Sequence, residues 1–339
     1  MKKFKEFPKI GQFRQTIKSI TDRVRYKGKD ENENPIFAKL PTVKFEGTVK
    51  LHGTNAGIIK SGTTHYCQSR NEILNYPQKD NAGFALFVYR IPEVINELFK
   101  TIAENNENVS IYGEWCGGNI QKGVGINGLE KMFVIFAVKV EDFSTDEYFS
   151  KWIDINPQII EQFNKDNIYH IKQFPHYEIE IDFNNPAESQ NKLIELTNSV
   201  EKQCPVAKYF GKEGVGEGIV WKGITLGWTS SRYWFKVKGE KHSTTKVKKL
   251  ANIDTEKLEN VKKFVEYAVT ENRLNQALEN VVLDIKKIGE FIRWILNDVM
   301  KEESDTMANN NLTKQDVGGT IAKVAKEWFF KKINEEVGL

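Results

Sequence analysis

Four groups of residues along this 339-residue chain have side chains suited to phosphoryl or nucleotidyl transfer. Such transfer needs a deprotonated nucleophile, cations that neutralise phosphate charge, carboxylates for a metal ion, and groups that hold the base and sugar. The nucleophile candidate is Lys50, in the run Lys50-Leu51-His52-Gly53-Thr54-Asn55. Glycine at position 53 would let the backbone come close to a nucleotide, since a Cβ there would obstruct it.

The Lys-x-x-Gly pattern alone does not single out Lys50. The pattern also occurs at five other lysines, namely Lys44, Lys122, Lys208, Lys236 and Lys286. A lysine before a glycine is usually a solvated side chain beside a turn. Lys50 therefore stands out only through its context, directly after the apolar stretch 42–49.

Cations for phosphate are available at Lys236 and Lys238, in the run Trp234-Phe235-Lys236-Val237-Lys238. In a strand, alternation places both lysines on one face and Phe235 and Val237 on the other. Two ammonium groups on one face would bind the phosphates and favour loss of the proton from a nearby lysine. The alternative is an exposed basic strand face.

Carboxylates stand at the edges of two apolar runs. Glu114 ends Ile111-Tyr112-Gly113-Glu114, and Glu217 opens Glu217-Gly218-Ile219-Val220-Trp221-Lys222. Mg²⁺ takes few direct carboxylates, so one or two of these would suffice. The alternative is that both glutamates cap loops or pair with lysines.

Two further side chains fit the remaining tasks. Arg70 would contact phosphate with two parallel hydrogen bonds, and Phe136 would stack on adenine. Taken alone, Arg70 is a surface arginine and Phe136 a core aromatic.

Periodicity predicts the elements that must position these residues. Residues 43–60 alternate around a glycine-containing turn and predict a β-hairpin that bears Lys50. Further strands are predicted at 65–70, 109–115, 131–140, 218–221 and 232–238, helices at 82–103 (disturbed at Pro92), 155–164 and 188–203, and a loop at 117–128. From Thr255 onward apolar residues recur at helical spacing. The chain is therefore predicted to be α+β, with a mixed domain at 1–245 and an all-helical domain at 246–339.

Composition narrows the class and the compartment. The 40% hydrophobic and 28% charged content is ordinary for a globular protein. The net charge is only +3, so a surface that binds nucleic acid would have to come from a local cluster of basic residues, such as the one at 236–249. The three cysteines are widely spaced and lack zinc-ligand spacing, which favours a reducing compartment. Neither an 18-residue apolar run nor a secretory signal is found, so the expectation is a cytoplasmic protein without membrane contact.

In this order, the motifs resemble those of the covalent nucleotidyltransferase superfamily of polynucleotide ligases and capping enzymes. Within it, the chain is most similar to the bacteriophage RNA ligase 2 family, which includes the kinetoplastid RNA-editing ligases. The resemblance rests on the run 50–55, Arg70, Gly113-Glu114, the segment Gly118-Asn119-Ile120-Gln121-Lys122, Phe136, Glu217-Gly218 with Val220, and Lys236 with Lys238.

The resemblance implies an ATP-grasp-like adenylyltransferase domain of antiparallel sheets and helices, followed by a small helical RNA-binding domain. It implies that Lys50 takes AMP from ATP, that AMP passes to an RNA 5′-phosphate, and that a 3′-hydroxyl then seals the strand. Lys50, His52, Lys236 and Lys238 would be catalytic, and Mg²⁺ or Mn²⁺ would bind at Glu217 and Glu114, Glu114 also holding the ribose. The implied nucleotide site comprises Val49, Lys50, Leu51, Asn55, Arg70, Glu114, Phe136, Val220, Lys236 and Lys238. The expected partner is RNA, in the form of a nicked duplex, bound by a monomer, and a phage-encoded protein acting in the host cytoplasm is one alternative.

One position departs from the family pattern, and two rival functions remain. Ala137 stands where the family usually has Asp after the stacking aromatic, which leaves open a catalytically weak or silent protein that binds RNA ends. A DNA ligase or capping enzyme would continue into a β-rich OB-fold, whereas the chain after Lys249 is helical in pattern.

Overall fold

The computed structural model describes residues 2–24, 26–29, 35–103, 108–142, 149–239, 241 and 255–336. The chain divides into two compact units, Met1–Leu250 and Ala251–Leu339. The predicted domain boundary at 245/246 lies outside the described residues, as does most of the predicted lysine cluster at 236–249.

The first unit is mixed α+β. Its strands are β1 (Gly11–Gln12), β2 (Tyr26–Lys29), β3 (Pro35–Phe37), β4 (Thr42–Lys50), β5 (Thr54–Ser61), β6 (Thr64–Ser69), β7 (Asn108–Cys116), β8 (Met132–Asp142), β9 (Phe149–Ile153), β10 (Ile168–His170), β11 (His176–Asp182), β12 (Gly218–Gly223) and β13 (Phe235–Lys238). Its helices are α1 (Phe13–Val24), α2 (Phe84–Arg90), α3 (Pro92–Ala103), α4 (Glu188–Lys202) and α5 (Pro205–Tyr209). Among the described residues, 3₁₀ segments accompany them at Pro157–Asp166, Ile171–Gln173 and Ser231–Tyr233.

Two sheets carry the candidate residues. The first sheet has the order β1-β13-β12-β4-β11, and the second has β10-β8-β7-β5-β6, with β9 beside β8. Most neighbouring strands are antiparallel, as expected, but β1 with β13 and β10 with β8 are parallel. The first sheet's core includes residues of α4, and the second sheet's core includes residues of α2 and α3.

The predicted hairpin at 43–60 is wrong. Both strands form, but β4 pairs with β11 and β12 in the first sheet, while β5 pairs with β6 and β7 in the second. Alternation marks a strand and its faces but does not specify its partner, which long-range burial decides. Residues Leu51–Gly53 therefore carry the chain from one sheet to the other.

The predicted helix at 82–103 is two helices, because α2 ends at Arg90 and α3 starts at Pro92. Proline is tolerated at the first helical position, where its missing N–H has no partner in the helix. At the other end of the unit, the predicted strand 232–238 begins only at Phe235, after a 3₁₀ turn.

The second unit is helical in its described part. Its helices are α6 (Thr255–Ala268), α7 (Glu271–Asn280), α8 (Ile288–Glu302), α9 (Ser304–Asn309) and α10 (Lys314–Glu336). Phe264, Phe291 and Phe329 are buried in its core, together with Val261 of α6 and Ile321 of α10. Among the described residues, no helix combines the length and apolar character that crossing a membrane requires.

Candidate active site

The antiparallel register of the first sheet brings the candidate nucleophile, a glutamate and a basic strand together. Gly218 of β12 pairs with Lys50 at the end of β4 on one side and with Lys238 of β13 on the other. Glu217 directly precedes Gly218, so its carboxylate emerges between the two lysines. Gly218 has φ near +149°, and a Cβ there would collide with the Val237 carbonyl, which explains the glycine of the Glu-Gly pair.

Glu217 holds three cationic or potentially cationic groups. Its Oε2 lies 2.7 Å from Lys50 Nζ, and its Oε1 lies 2.6 Å from Lys238 Nζ. The same Oε2 lies 3.3 Å from Nδ1 of His52. Burial alone would raise the pKa of Glu217, but the ammonium groups of Lys50 and Lys238 outweigh it and hold that pKa below its ordinary value. Glu217 is therefore an ionised acceptor between the two lysines.

Lys236 and Lys238 share a strand face, as predicted, but differ in their surroundings. Lys238 pairs with Glu217, whereas Lys236 lines the neighbouring cleft. Burial lowers the pKa of Lys236, and the ammonium groups of Lys238 and Lys50 lower it further. Lys236 is thus the lysine of the pair that faces the cleft without a close carboxylate in the described part of the chain.

Glu114 approaches the site from the second sheet. It lies on β7 opposite Asn55, and its Oε1 accepts a hydrogen bond from the Gly53 backbone N–H at 2.9 Å. Burial raises the pKa of Glu114 to about 7, against the lowering effects of Lys50 and of the Gly53 N–H. A Cβ on Gly53 would meet the Trp115 carbonyl and the side chain of Cys116. The close approach at Gly53 is therefore to β7, whereas the sequence had suggested approach to a nucleotide.

A cleft of about 320 Å³ opens where these elements meet. The predicted residues that line it are Val49, Lys50, Leu51, Asn55, Arg70, Glu114, Phe136, Val220 and Lys236. Three predicted residues are not part of the lining, namely His52, Glu217 and Lys238. Glu217 adjoins the cleft because it pairs with Lys50, and His52 and Lys238 in turn contact Glu217. The structure thus brings the predicted site residues together at one place.

A β-bulge aims Phe136 at this cleft. Between β7 and β8 the register passes from Tyr112 opposite Ala137 to Gly113 opposite Ile135, so Phe136 is the extra residue. A bulge interrupts the alternation of the strand and redirects a side chain. As a result Phe136 and Ala137, although adjacent, both belong to one aromatic cluster with Phe7.

Ala137 occupies a space that does not suit a carboxylate. It is 6% exposed and packs in the cluster formed by Phe7, Tyr112 and Trp234. An aspartate there would be surrounded by aromatic rings, and burying an unpaired charge is costly. The departure from the family pattern therefore coincides with an apolar environment.

The sequence reasoning missed several cleft residues. Lys222 lines the cleft, its Nζ donates to the Phe136 carbonyl, and it lies 4.5 Å from the centre of the Trp234 ring. Burial, together with Lys172, lowers the pKa of Lys222 to about 8. Alternation from Val220 could have indicated Lys222. For the cleft-lining segment Phe7–Ile10 the sequence held no comparable signal.

The described side chains offer limited ligation for a metal. Within the described ranges, no group of three or more His, Cys, Asp and Glu side chains is arranged to hold an ion. Glu114 and Glu217 are close enough for each to affect the other electrostatically. Because Mg²⁺ completes its shell with water and phosphate oxygens, this pair suits an ion that shares the phosphates of a bound nucleotide, and not one held by protein alone.

Comparison with known proteins gives matches to RNA ligases. The model of the RNA ligase family matches residues 43–238. No curated protein matches the sequence. Among solved structures, Naegleria gruberi RNA ligase with pyrophosphate is 18% identical over 70% of this chain and 58% of that chain, with a TM-score of 0.41. A variant of the same enzyme with ATP and Mn is 18% identical over 73% of this chain and 59% of that chain, with a TM-score of 0.42.

These two alignments span less than two thirds of the Naegleria chains. The family match, by contrast, extends from β4 to β13 and includes every predicted site residue from Val49 to Lys238. It covers residues 43–238, more than half of the 339 residues. The chain therefore belongs to the RNA ligase family.

Proposed function

We propose that this protein is an ATP-dependent RNA ligase that joins a 3′-hydroxyl to a 5′-phosphate through a lysyl-AMP intermediate on Lys50. The observation that carries the proposal is the position of Lys50. Its ammonium group contacts Glu217 at 2.7 Å, while its side chain lines a cleft that also holds Phe136, Arg70 and Lys236. A nucleophile, an aromatic for the base and cations for phosphate thus share one cavity.

In the first step, Lys50 Nζ attacks the α-phosphorus of ATP. The P–N bond forms as the bond from the α-phosphorus to the bridging oxygen breaks, and pyrophosphate leaves with that electron pair. Lys236 faces the cleft and would stabilise the charge that develops on the phosphates. Phe136 and Val220 would hold the adenine between the two sheets, and the Glu114 carboxylate would accept a hydrogen bond from a ribose hydroxyl.

Glu217 and the divalent cation serve the same step. Lys50 reacts only without its proton, and in the nucleotide-free site Glu217 pairs with its ammonium group. A Mg²⁺ or Mn²⁺ ion bound beside Glu217 would neutralise phosphate charge when the nucleotide is present. Nucleotide binding would then exchange the Lys50–Glu217 ion pair for contacts to phosphate, with His52, 3.3 Å from Glu217, on the phosphate side.

In the later steps AMP passes to the RNA 5′-phosphate, and the RNA 3′-hydroxyl attacks that phosphate and expels AMP. These steps need two strand ends in line, which is more surface than ATP needs. We assign the binding of duplex RNA to the helical unit, and we propose that the protein acts as a monomer. The candidate contacts of the helical unit are Lys262, Lys263, Lys286, Lys287 and Arg293, of which Lys263 pairs with Glu259 and Lys287 with Glu290.

The test of the proposal is covalent labelling. With labelled ATP and Mg²⁺, the protein should form a covalent AMP adduct that, as a phosphoramidate, is labile in acid and stable in alkali, and Lys50→Ala should abolish it. Lys44→Ala is the matched control, because Lys44 lies on the same strand, precedes Gly47 in the same pattern and is exposed. Labelling that survives Lys50→Ala contradicts the assignment of the nucleophile.

A second candidate function is suggested by Ala137, which replaces the usual family Asp. In that reading the protein binds RNA ends on a ligase scaffold without sealing them. Absence of the adduct together with retained RNA binding would favour this reading. If the adduct forms, sealing of matched nicked RNA, hybrid and DNA duplexes then defines the substrate and separates an RNA ligase from a DNA ligase.

A further inference from the structure

The segment Lys3–Ile10, here called the strap, links the two sheets beside the cleft. At its start it lies on β6 and β7 of the second sheet, where Tyr66, Gln68 and Tyr112 contact it. At its end it continues into β1, whose Gly11 pairs with Phe235 of the first sheet. The strap therefore passes from one sheet to the other at the place where the cleft opens.

Buried side chains hold the strap by its backbone. Gln68 accepts from the Lys5 N–H at 3.0 Å and donates to the Lys5 carbonyl at 2.7 Å. The Tyr112 hydroxyl donates to the same carbonyl at 2.9 Å. Gln68 and Tyr112 are each 1% exposed, so the strap supplies the partners that buried polar groups require. Its course is thus fixed by the sheet beneath it.

Phe7 fastens the strap at the aromatic end of the cleft. It is 4% exposed, and its ring centre lies 5.0 Å from that of Tyr112 and 5.2 Å from that of Phe136. The guanidinium of Arg70 lies 5.8 Å from the same ring. Phe7 and the three residues that follow it line the cleft. The strap is therefore a wall of the cavity that holds Lys50.

Lys9 is the cation that this wall presents. It is exposed and lines the same cleft as Lys50 and Lys236. Across the described ranges, no carboxylate forms an ion pair with it. Its charge is also felt at Lys236, whose pKa it lowers slightly, after the larger effects of burial, Lys238 and Lys50. With Lys222, four lysines thus line one cavity, and their mutual repulsion favours an anion that contacts several of them.

We propose that the strap is part of the nucleotide site and that Lys9 binds the β- or γ-phosphate of ATP. The inference rests on the proposed function, since it concerns the pyrophosphate that leaves when Lys50 is adenylylated. Lys9 forms no covalent bond in that step. It stabilises the negative charge on the departing pyrophosphate through a charged hydrogen bond.

The test compares reactions with and without pyrophosphate. In Lys9→Ala, the KM for ATP in self-adenylylation should rise about tenfold, the loss expected for one charged hydrogen bond. The pyrophosphate concentration needed to remove AMP from the adenylylated protein should rise by a similar factor. Sealing of chemically pre-adenylated RNA involves no pyrophosphate and should keep its rate. Lys9→Arg keeps the positive charge, so its KM for ATP should lie close to that of the unaltered protein.

Lys3→Ala is the matched control, because Lys3 belongs to the same strap and is exposed, yet does not line the cleft. Equal slowing of self-adenylylation and of sealing with pre-adenylated RNA in Lys9→Ala would mean that Lys9 only supports the fold, which overturns the phosphate contact. An unchanged KM for ATP and pyrophosphate dependence overturns it as well. If the unaltered protein forms no adduct at all, the proposed function fails instead.

Discussion

The shared carboxylate of Glu217 predicts that Lys50 and Lys238 contribute to stability in a strongly coupled way. Glu217 is 2% exposed, whereas the side chains of Lys50 and Lys238 are 22% and 28% exposed. The lysines can therefore be hydrated without Glu217, but Glu217 has little access to water without the lysines. Removing one lysine leaves the carboxylate a partner, and removing both leaves a nearly uncompensated buried charge, apart from His52 at 3.3 Å.

The perturbation is Lys50→Met, Lys238→Met and the double variant, since methionine keeps much of the apolar stem. Each single change should lower the free energy of unfolding by about 1 kcal/mol, and the double change by about 4 kcal/mol, within the range for an unpaired buried charge. The coupling free energy is then about 2 kcal/mol. Adding Glu217→Gln to the double variant should recover most of the loss, because the buried group is then neutral.

Urea unfolding of nucleotide-free protein at pH 7.5, followed by tryptophan fluorescence, measures these values. The pKa of Glu217 is below its ordinary value of 4.5, so the folded state binds fewer protons at this group than the unfolded state. The stabilisation is therefore present above pH 4.5 and is lost as the pH falls through the folded-state pKa. Additive single and double effects, or no recovery on adding Glu217→Gln, would refute the shared-carboxylate reasoning.

Three further predictions concern the other parts of the molecule. The pKa of Glu114 is about 7, against an ordinary 4.5, so between these pH values the folded protein binds more protons at Glu114 than the unfolded chain does. The burial of Glu114 therefore lowers the stability of the fold as the pH rises from 4.5 to 7. Glu114→Gln should raise the Tm more at pH 8 than at pH 5, and an equal change at both would count against this. Gly53→Ala should lower the free energy of unfolding by about 2 kcal/mol, measured with urea, because its Cβ would collide with the Trp115 carbonyl. Gly319→Ala is the control and should not destabilise the protein, since no atom lies within 4 Å of a Cβ there. A chain truncated after Leu250 should still fold and self-adenylylate but seal nicked RNA poorly, with RNA binding by the full chain weakening steeply with salt; equal sealing by both chains would exclude a gripping role for the helical unit.

Local sequence patterns predicted most of the elements. The apolar run around Ile111 identified β7, the alternation around Phe235 identified β13, and the helical spacing after Thr255 identified the helices of the second unit. Such patterns report which face meets a core, and this follows from the geometry of each element. They do not report which strands are neighbours, so the false hairpin at 43–60 was not avoidable from periodicity alone.

The candidate site was predicted largely through the family resemblance, since each motif alone had an ordinary explanation. What could not be foreseen is how charges combine across strands. The shared position of Glu217 between Lys50 and Lys238 follows from the β4–β12–β13 register, which only the folded sheet defines. The same holds for Lys9, which reaches the cleft because buried side chains direct the strap there.

The bulge makes the candidate base-stacking residue, Phe136, the extra residue of β8. One extra residue separates the partners of Tyr112 and Gly113. Deleting one residue from Phe136-Ala137 would restore unbroken alternation and continuous pairing with β7. Loss of Phe136 would remove the ring that lines the cleft, whereas loss of Ala137 would place Phe136 opposite Tyr112, where Ala137 already faces the cluster around Phe7. If Phe136 stacks on the base as we propose, a gap at Phe136 itself in relatives of this chain would signal loss of base stacking even where every charged motif is intact.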